Sequence, residues 1–270
     1  MYKIKRISSP QNLLFKELVN LKKSAACRRK ANKALIDGKT LVLDYIKKFG
    51  LEEVNVIVSS SFFESQTEYL KGTFPKSEIF VFSDRLYSKF ATQTHSQAMS
   101  AIISTRRVIK ILSENRRESQ LILVDGVQDP GNLGAIIRLA AAFDFDQVLV
   151  SEASCDPWSP KCIRGGMGGQ FVISCKKVNI RDILETFSGE RIALSANNGD
   201  SIYKKMAFAD KTLFLIGGEG RGINPELRDF VDCSLTVPIN CSIESLNVSS
   251  SLAIALYEFC RSKSLNYNKV

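Results

Sequence analysis

The sequence predicts a two-domain α/β protein, and three observations carry that expectation. Short apolar runs alternate with stretches of helical periodicity along almost the whole chain, as sheets covered by helices require. In the C-terminal half those runs are continuously apolar, LILVDGV over 121–127 and TLFLIGGE over 212–219 among them, which is how parallel strands buried on both faces read. Finally, 270 residues exceed the roughly 100–200 typical of one domain, and 44% hydrophobic with 24% charged residues lies inside the globular range. That composition sets aside disordered, collagenous and coiled-coil chains.

Taken in order, the segment PQNLLFKELVNLKK (10–23) is expected to open as a helix after a capping serine, with Pro10 in its first turn and Leu14, Leu18 and Leu21 on one face. Its basic end runs into Cys27, Arg28, Arg29 and Lys30. A second helix follows Gly38, with Leu41, Val42, Tyr45, Ile46 and Phe49 on one side. Strands over 54–58, 79–82 and 99–103 then alternate with helical stretches around 64–70 and 84–90, so 1–105 reads as one compact α/β domain. Residues 106–120 are polar and arginine-rich, with no glycine or proline, and read as a linker able to form a helix. Residues 121–270 form the second domain: strand 121–127, helix 131–145, strands at 147–152, 191–196 and 212–219, and a last helix with Val248, Leu252, Ala255 and Phe259 at core spacing. Ile254 and Tyr257 give that helix a second apolar stripe, as expected of one buried on two sides.

The charge is unevenly placed. The chain carries 37 Lys and Arg against 28 Asp and Glu, a net +9. The first fifty residues hold thirteen bases against three acids (Glu17, Asp37 and Asp44), or +10, and the remainder holds 24 against 25, or −1. A basic module joined to a neutral one points to a polyanionic partner held at one end. Arg28, Arg29, Lys30 and Lys33 are the expected phosphate contacts, against the plainer reading of a solvated basic helix end.

No run approaches the roughly 18–20 apolar residues of a membrane span, and MYKIKRISSP lacks the apolar core of a secretion signal, so a cytoplasmic protein is expected. Seven scattered cysteines without a C-x-x-C pattern suggest reduced thiols rather than disulfides or zinc. His95 is the only histidine, which excludes a multi-histidine metal centre, and no metal is expected.

Three turns follow apolar strands. Asp129-Pro130-Gly131-Asn132-Leu133-Gly134 leads into a helix bearing Arg138; Asn132 before a helix reads most simply as its cap. Arg138 lies six residues on, about 240° around an ideal helix, and shares no face with Asn132. Gly217-Gly218-Glu219-Gly220-Arg221-Gly222 allows close backbone approach to a ligand, but it is neither a Walker A loop nor a complete G-x-G-x-x-G. The third turn, from Pro238 and Ile239 to Ser245, Leu246 and Asn247, precedes the last helix.

In this order and spacing the three turns resemble the motifs of the SpoU/TrmH family of RNA 2′-O-ribose methyltransferases, in the SPOUT superfamily. DPGNLGAIIRLAAAF resembles its first motif, LIGGEGRGI its second and VPINCSIESLNVSSSLAIALYE its third. SPQN (9–12) and IDGKTLVL (36–43) resemble the family's N-terminal substrate-binding extension, a ribosomal-protein-like α/β domain. The resemblance implies a deep trefoil knot in the C-terminal domain, homodimerisation through it, and S-adenosyl-L-methionine as cofactor. The implied cofactor contacts are Leu194, Ser195, Ala196, Ile216, Gly217, Gly218, Glu219, Gly220, Ile239, Ser245 and Leu246. The implied catalytic set is Asn132, Arg138, Glu219, Ser245 and Asn247, with Arg138 proposed in the family as base. Because a guanidinium is effectively always protonated, Arg138 is expected to position phosphate and hydroxyl and either to lose a proton transiently or to leave that step to water or phosphate, with Asn132, Ser245 and Asn247 orienting it and the ribose and Glu219 fixing the loop or a guanidinium. The implied substrate is ribosomal RNA of the 23S type, with transfer RNA, or a non-catalytic RNA-binding role in ribosome assembly, as alternatives. Two positions depart from the family pattern: Gly165-Gly166 where Ala-Ser is common, and Ser96-Gln97-Ala98 where Pro-Gln-Gly is usual.

Overall fold

The structure, a computed structural model, describes residues 3–74, 78–91, 98–114 and 118–263. The first half folds as β1 (Lys3–Ile7), α1 (Leu13–Lys23), α2 (Ala25–Ala31), β2 (Lys33–Asp37), α3 (Lys39–Phe49), β3 (Asn55–Ser59), α4 (Ser60–Ser65), α5 (Thr67–Thr73), β4 (Glu78–Phe82), α6 (Asp84–Phe90) and β5 (Met99–Ser104). Its strands form a mixed five-stranded sheet in the order β1-β4-β3-β5-β2, with β5 antiparallel to both neighbours. Two apolar layers cover it: Phe15, Leu18, Leu21, Phe82 and Phe90 in one, Val42, Tyr45, Phe49 and Phe74 in the other.

Several boundaries differ from expectation for local reasons. The cap of α1 is Asn12 rather than a serine, its Oδ1 accepting the Leu14 N–H at 2.9 Å. The helical stretch around 64–70 divides into α4 and α5. β1, whose KIKRI sequence is mostly charged, and β2, hidden behind the basic run, were not anticipated. The segment read as a linker contributes α7 (Thr105–Ser113), begun by the Ser104 side chain on the Arg107 N–H. Val108 and Leu112 on α7 are buried in the N-terminal core.

The second half comprises β6 (Gln120–Asp125), α8 (Pro130–Ala142), β7 (Gln147–Ser151), α9 (Pro160–Gly165), β8 (Ser174–Val178), α10 (Ile180–Thr186), β9 (Glu190–Leu194), β10 (Asp200–Ser201), β11 (Thr212–Gly217), β12 (Cys233–Thr236) and α11 (Val248–Ser262). All seven strands are parallel, in the order β10-β12-β9-β11-β6-β7-β8. The order reverses at β6 and β11, so the loops leaving β6, β9, β11 and β12 gather at one sheet edge, where open α/β folds bind ligands. Phe145, Phe208, Phe214 and Phe259 interlock beneath, with ring centroids 5.3–6.0 Å apart.

Two contacts fix how these parts fit. α8 and α9 approach so closely that a Cβ on Gly134 would lie 2.5 Å from the Cys162 carbonyl oxygen. Between the domains, Trp158, Ile163 and Phe171 join the N-terminal core, with the Phe171 ring edge-on to Tyr45 at 5.4 Å. Among the described residues no helix is long and apolar enough to cross a membrane, and no cluster of metal-ligating side chains is present.

Candidate active site

The three glycine- and asparagine-bearing turns meet at the sheet edge. Asp129 caps α8, its Oδ1 accepting the Gly131 and Asn132 N–H groups at 2.7 and 3.1 Å. A hydrogen bond from Lys161, then those amides, hold the Asp129 carboxyl below the usual carboxylate range. With Asp129 as cap, the simple reading of Asn132 as the cap is corrected and its side chain is free to act elsewhere. It donates Nδ2–H to Glu219 Oε1 in the turn after β11 and accepts at Oδ1 from Asn247 Nδ2 at 3.0 Å. Asn247 in turn caps α11, its Oδ1 accepting the Ser249 N–H at 2.9 Å. One relay, Asn247 to Asn132 to Glu219, thus fixes the three turns to one another through primary amides, whose donor and acceptor ends allow each residue two partners.

Beside this relay lies a cavity of about 580 Å³, and all eleven residues expected to hold a cofactor line it. Its apolar walls come from Leu194, Ile216, Ile239 and Leu246, and much of the rest is backbone. The glycines are needed there. A Cβ on Gly217 would lie 2.1 Å from the Gly222 carbonyl carbon, and one on Gly218 would lie 2.4 Å from the Gly126 carbonyl oxygen. Gly222 adopts φ +63° and donates its N–H to the Gly218 oxygen at 2.9 Å, closing the turn. The cavity also takes in Glu244, which lies within the third turn but was not singled out, and Arg228, which belongs to none of the three turns. A shallower depression of about 650 Å³ in the N-terminal domain, lined in part by Lys39, Asp44 and Phe62, has no glycine cradle and lies away from the relay.

The remaining candidates are placed differently. Ser245 lines the cavity but does not cap α11. Arg138 is exposed on α8, and among the described residues its guanidinium has no hydrogen-bond or ion-pair partner. Asn132, Ser245 and Asn247 therefore do not orient it within one chain. The expected phosphate set is also redistributed. Arg28 is 5% exposed and paired with Asp156 at 2.6 Å, which corrects its assignment as a phosphate contact. Arg29 pairs with Glu152 at 2.9 Å and Lys33 with Glu17 at 2.7 Å. Lys30 is exposed with no ion pair among the described residues. Of the two departures from the family pattern, Ser96-Gln97 lies outside the described residues. At the other, a Cβ on Gly166 would sit 2.9 Å from Gln170 Oε1, itself buried without a hydrogen-bond partner.

This parallel sheet with a backbone-lined cavity at its switch point is a fold that solved structures share. The SpoU methyltransferase AviRb from Streptomyces viridochromogenes, in complex with AdoMet, superposes with a TM-score of 0.82 at 20% identity, over 95% of this chain and 100% of that one. An AdoMet-bound rRNA methyltransferase from Sinorhizobium meliloti gives 0.79 at 21% identity, over 96% and 98%. Residues 119–257, more than half of the chain, match the SpoU rRNA Methylase family, and the protein belongs to that family. Over nearly the full length, 94% of this chain and 98% of the relative, it is 27% identical to the 23S rRNA (guanosine(2553)-2′-O)-methyltransferase RlmP of Bacillus subtilis.

Proposed function

We propose that the protein is an S-adenosylmethionine-dependent RNA 2′-O-ribose methyltransferase acting on large-subunit ribosomal RNA. The observation that carries this is the Asn247–Asn132–Glu219 relay beside the glycine-cradled cavity, in a chain aligned almost end to end with a 23S rRNA methyltransferase. The cavity fits the cofactor: Leu194, Ile216, Ile239 and Leu246 offer apolar faces for a purine, and Gly217 and Gly218 leave backbone groups accessible. When bound, S-adenosylmethionine would supply an electrophilic methyl group on a sulfonium whose leaving group is a neutral thioether. The chain's part is orientation. Asn132 and Asn247 hold the first and third turns in register, and Glu219 fixes the second against Asn132. A ribose hydroxyl is a poor nucleophile near neutrality, so its proton needs an acceptor. Arg138, permanently charged, positions the RNA phosphate and the hydroxyl, and the proton leaves to water or phosphate.

The same reading assigns a homodimer, supported by the outward stripe of α11, where Tyr257 is 59% exposed. It also assigns a knot, supported by the segment 237–247 lying against the loops after β9 and β11. The test is to map 2′-O-methyl groups on ribosomal and transfer RNA from cells with and without the gene. One large-subunit position should be lost. An unchanged ribosomal pattern with a lost transfer-RNA methyl would move the substrate, and no change in either would overturn the activity.

A further inference from the structure

The junction between the domains gives Arg28 a role that its position in a basic run conceals. Its Nε–H donates to Asp156 Oδ2 at 2.6 Å and its Nη1–H to the Leu21 carbonyl at 2.5 Å. A buried guanidinium persists only where its charge is met, and here the match is a carboxylate 128 residues away in the other domain. Asp156 is tied into its own loop, with Oδ1 accepting the Trp158 N–H at 2.9 Å.

That loop leads directly to the site. Cys155 N–H donates to the Val127 carbonyl at 2.8 Å, Val127 N–H to Ser154 Oγ at 3.1 Å, and Gly126 N–H to Ser151 Oγ at 3.1 Å. Gln128 Nε2 reaches the Ala153 carbonyl. Residues 126–128 are thus stitched to 151–155 along their length, and Asp129, the α8 cap that frees Asn132, is the next residue. Lys161, just beyond the loop on α9, bonds Asp129 Oδ2 at 2.7 Å. The C-terminal domain grips the loop through Lys177, whose Nζ donates to the carbonyls of Ser151 and Ser154 at 2.6 and 2.5 Å. The N-terminal domain grips it through Arg28, with Arg29 on Glu152 as an exposed second hold.

We propose that Arg28 is a positioning residue: by clamping Asp156 it seats the 151–156 loop against 126–128 and so fixes Asp129 and Asn132, making the geometry of the site depend on the docking of the N-terminal domain. The kinetic part of this proposal rests on the methyl-transfer reading; the structural part does not.

The test uses the full chain with Asp156→Asn, which keeps the turn bond to Trp158 and removes the charge. Arg28→Met and Arg28→Lys accompany it, the latter keeping the charge without the planar fork. Hydrogen exchange should accelerate at 126–132 by about tenfold or more in Arg28→Met and Asp156→Asn, while β6 and β11 stay protected. With ribosomal RNA extracted from cells lacking the gene, kcat should fall about tenfold or more. S-adenosylmethionine affinity by calorimetry should stay within about twofold, and Arg28→Lys should recover part of the loss. Unchanged exchange at 126–132 would overturn the proposal. So would a loss confined to KM for RNA with a shallower salt dependence, which would return Arg28 to the phosphate-contacting set. If the wild-type protein methylates neither RNA class, the functional reading fails and the exchange data alone decide. If Arg28→Met does not fold, Asp156→Asn carries the same test.

Discussion

The end of α2 and the rim of the C-terminal cavity are both dense in polar side chains, and they use them in opposite ways. At α2 the groups are ionic and mostly spent inside the molecule, Arg28 on Asp156, Arg29 on Glu152 and Lys33 just beyond on Glu17. At the relay beside the rim they are two amides and one carboxylate, bonded to each other next to a cavity. A cluster of charge in a sequence therefore says less about ligands than a few uncharged polar residues placed where strands end.

The sharpest way to break that contrast is at the relay. Asn132→Ala removes both the donor to Glu219 and the acceptor for Asn247, and turnover should fall by about 10²–10³-fold. S-adenosylmethionine affinity should change only a few-fold, since Asn132 does not line the cavity. An equal loss of cofactor affinity by calorimetry would mean that the relay shapes the cavity instead. Next in size is the helix contact behind it. Gly134→Ala forces a Cβ against backbone and should cost about 2–3 kcal/mol, lowering the melting temperature by several degrees. Gly220→Ala, whose Cβ would meet nothing within 4 Å, should stay within about 0.5 kcal/mol.

Smaller again is the cap: Asp129→Ala should cost about 1 kcal/mol at neutral pH. Because the folded Asp129 carboxyl is held below the usual range, its contribution is complete above the unfolded value of about 4 and drains away as acid titrates the folded group. The stability gap between wild type and variant should therefore close in acid, and a gap independent of pH would show that the charge is irrelevant. Smallest is Lys30→Ala, which should weaken RNA binding slightly and reduce the salt slope by about one. Arg29→Ala and Lys33→Ala should do less, because their charges are already partnered.

The turns at the cavity were legible in the sequence through local rules, and the residues lining it through the resemblance of those turns to the SpoU/TrmH motifs. A strand that ends in glycines, or a helix entered through Asp-Pro-Gly-Asn, announces its geometry within a few residues. The parallel order of the C-terminal sheet followed from its continuously apolar runs. What escaped reading was set at long range. β1, three of whose five residues are charged, is held by its ladder to a strand about 75 residues away, and no window reveals that Arg28 is buried by a carboxylate in the other domain. Asn132 was legible as important but its freedom from capping was not, because Asp129, three residues earlier, starts the helix sooner and caps it on the Gly131 and Asn132 amides. Arg138 was legible as a cation on an apolar helix and, six residues from Asn132, as sharing no face with it, which matches its standing apart from the relay.

The two ends of the N-terminal sheet have unequal fates. β2 is packed against α9, whereas β1 lies at the free end, with Lys3, Ile4, Lys5 and Arg6 exposed. Lys5 is paired with Glu78 and Arg6 lies over the Phe63 ring, so this rim stays charged and solvated. An open strand edge invites another copy to add to the sheet, and lysines and arginines along it discourage that. Part of the basic excess thus lies where, among the described residues, it discourages edge-to-edge addition of another strand.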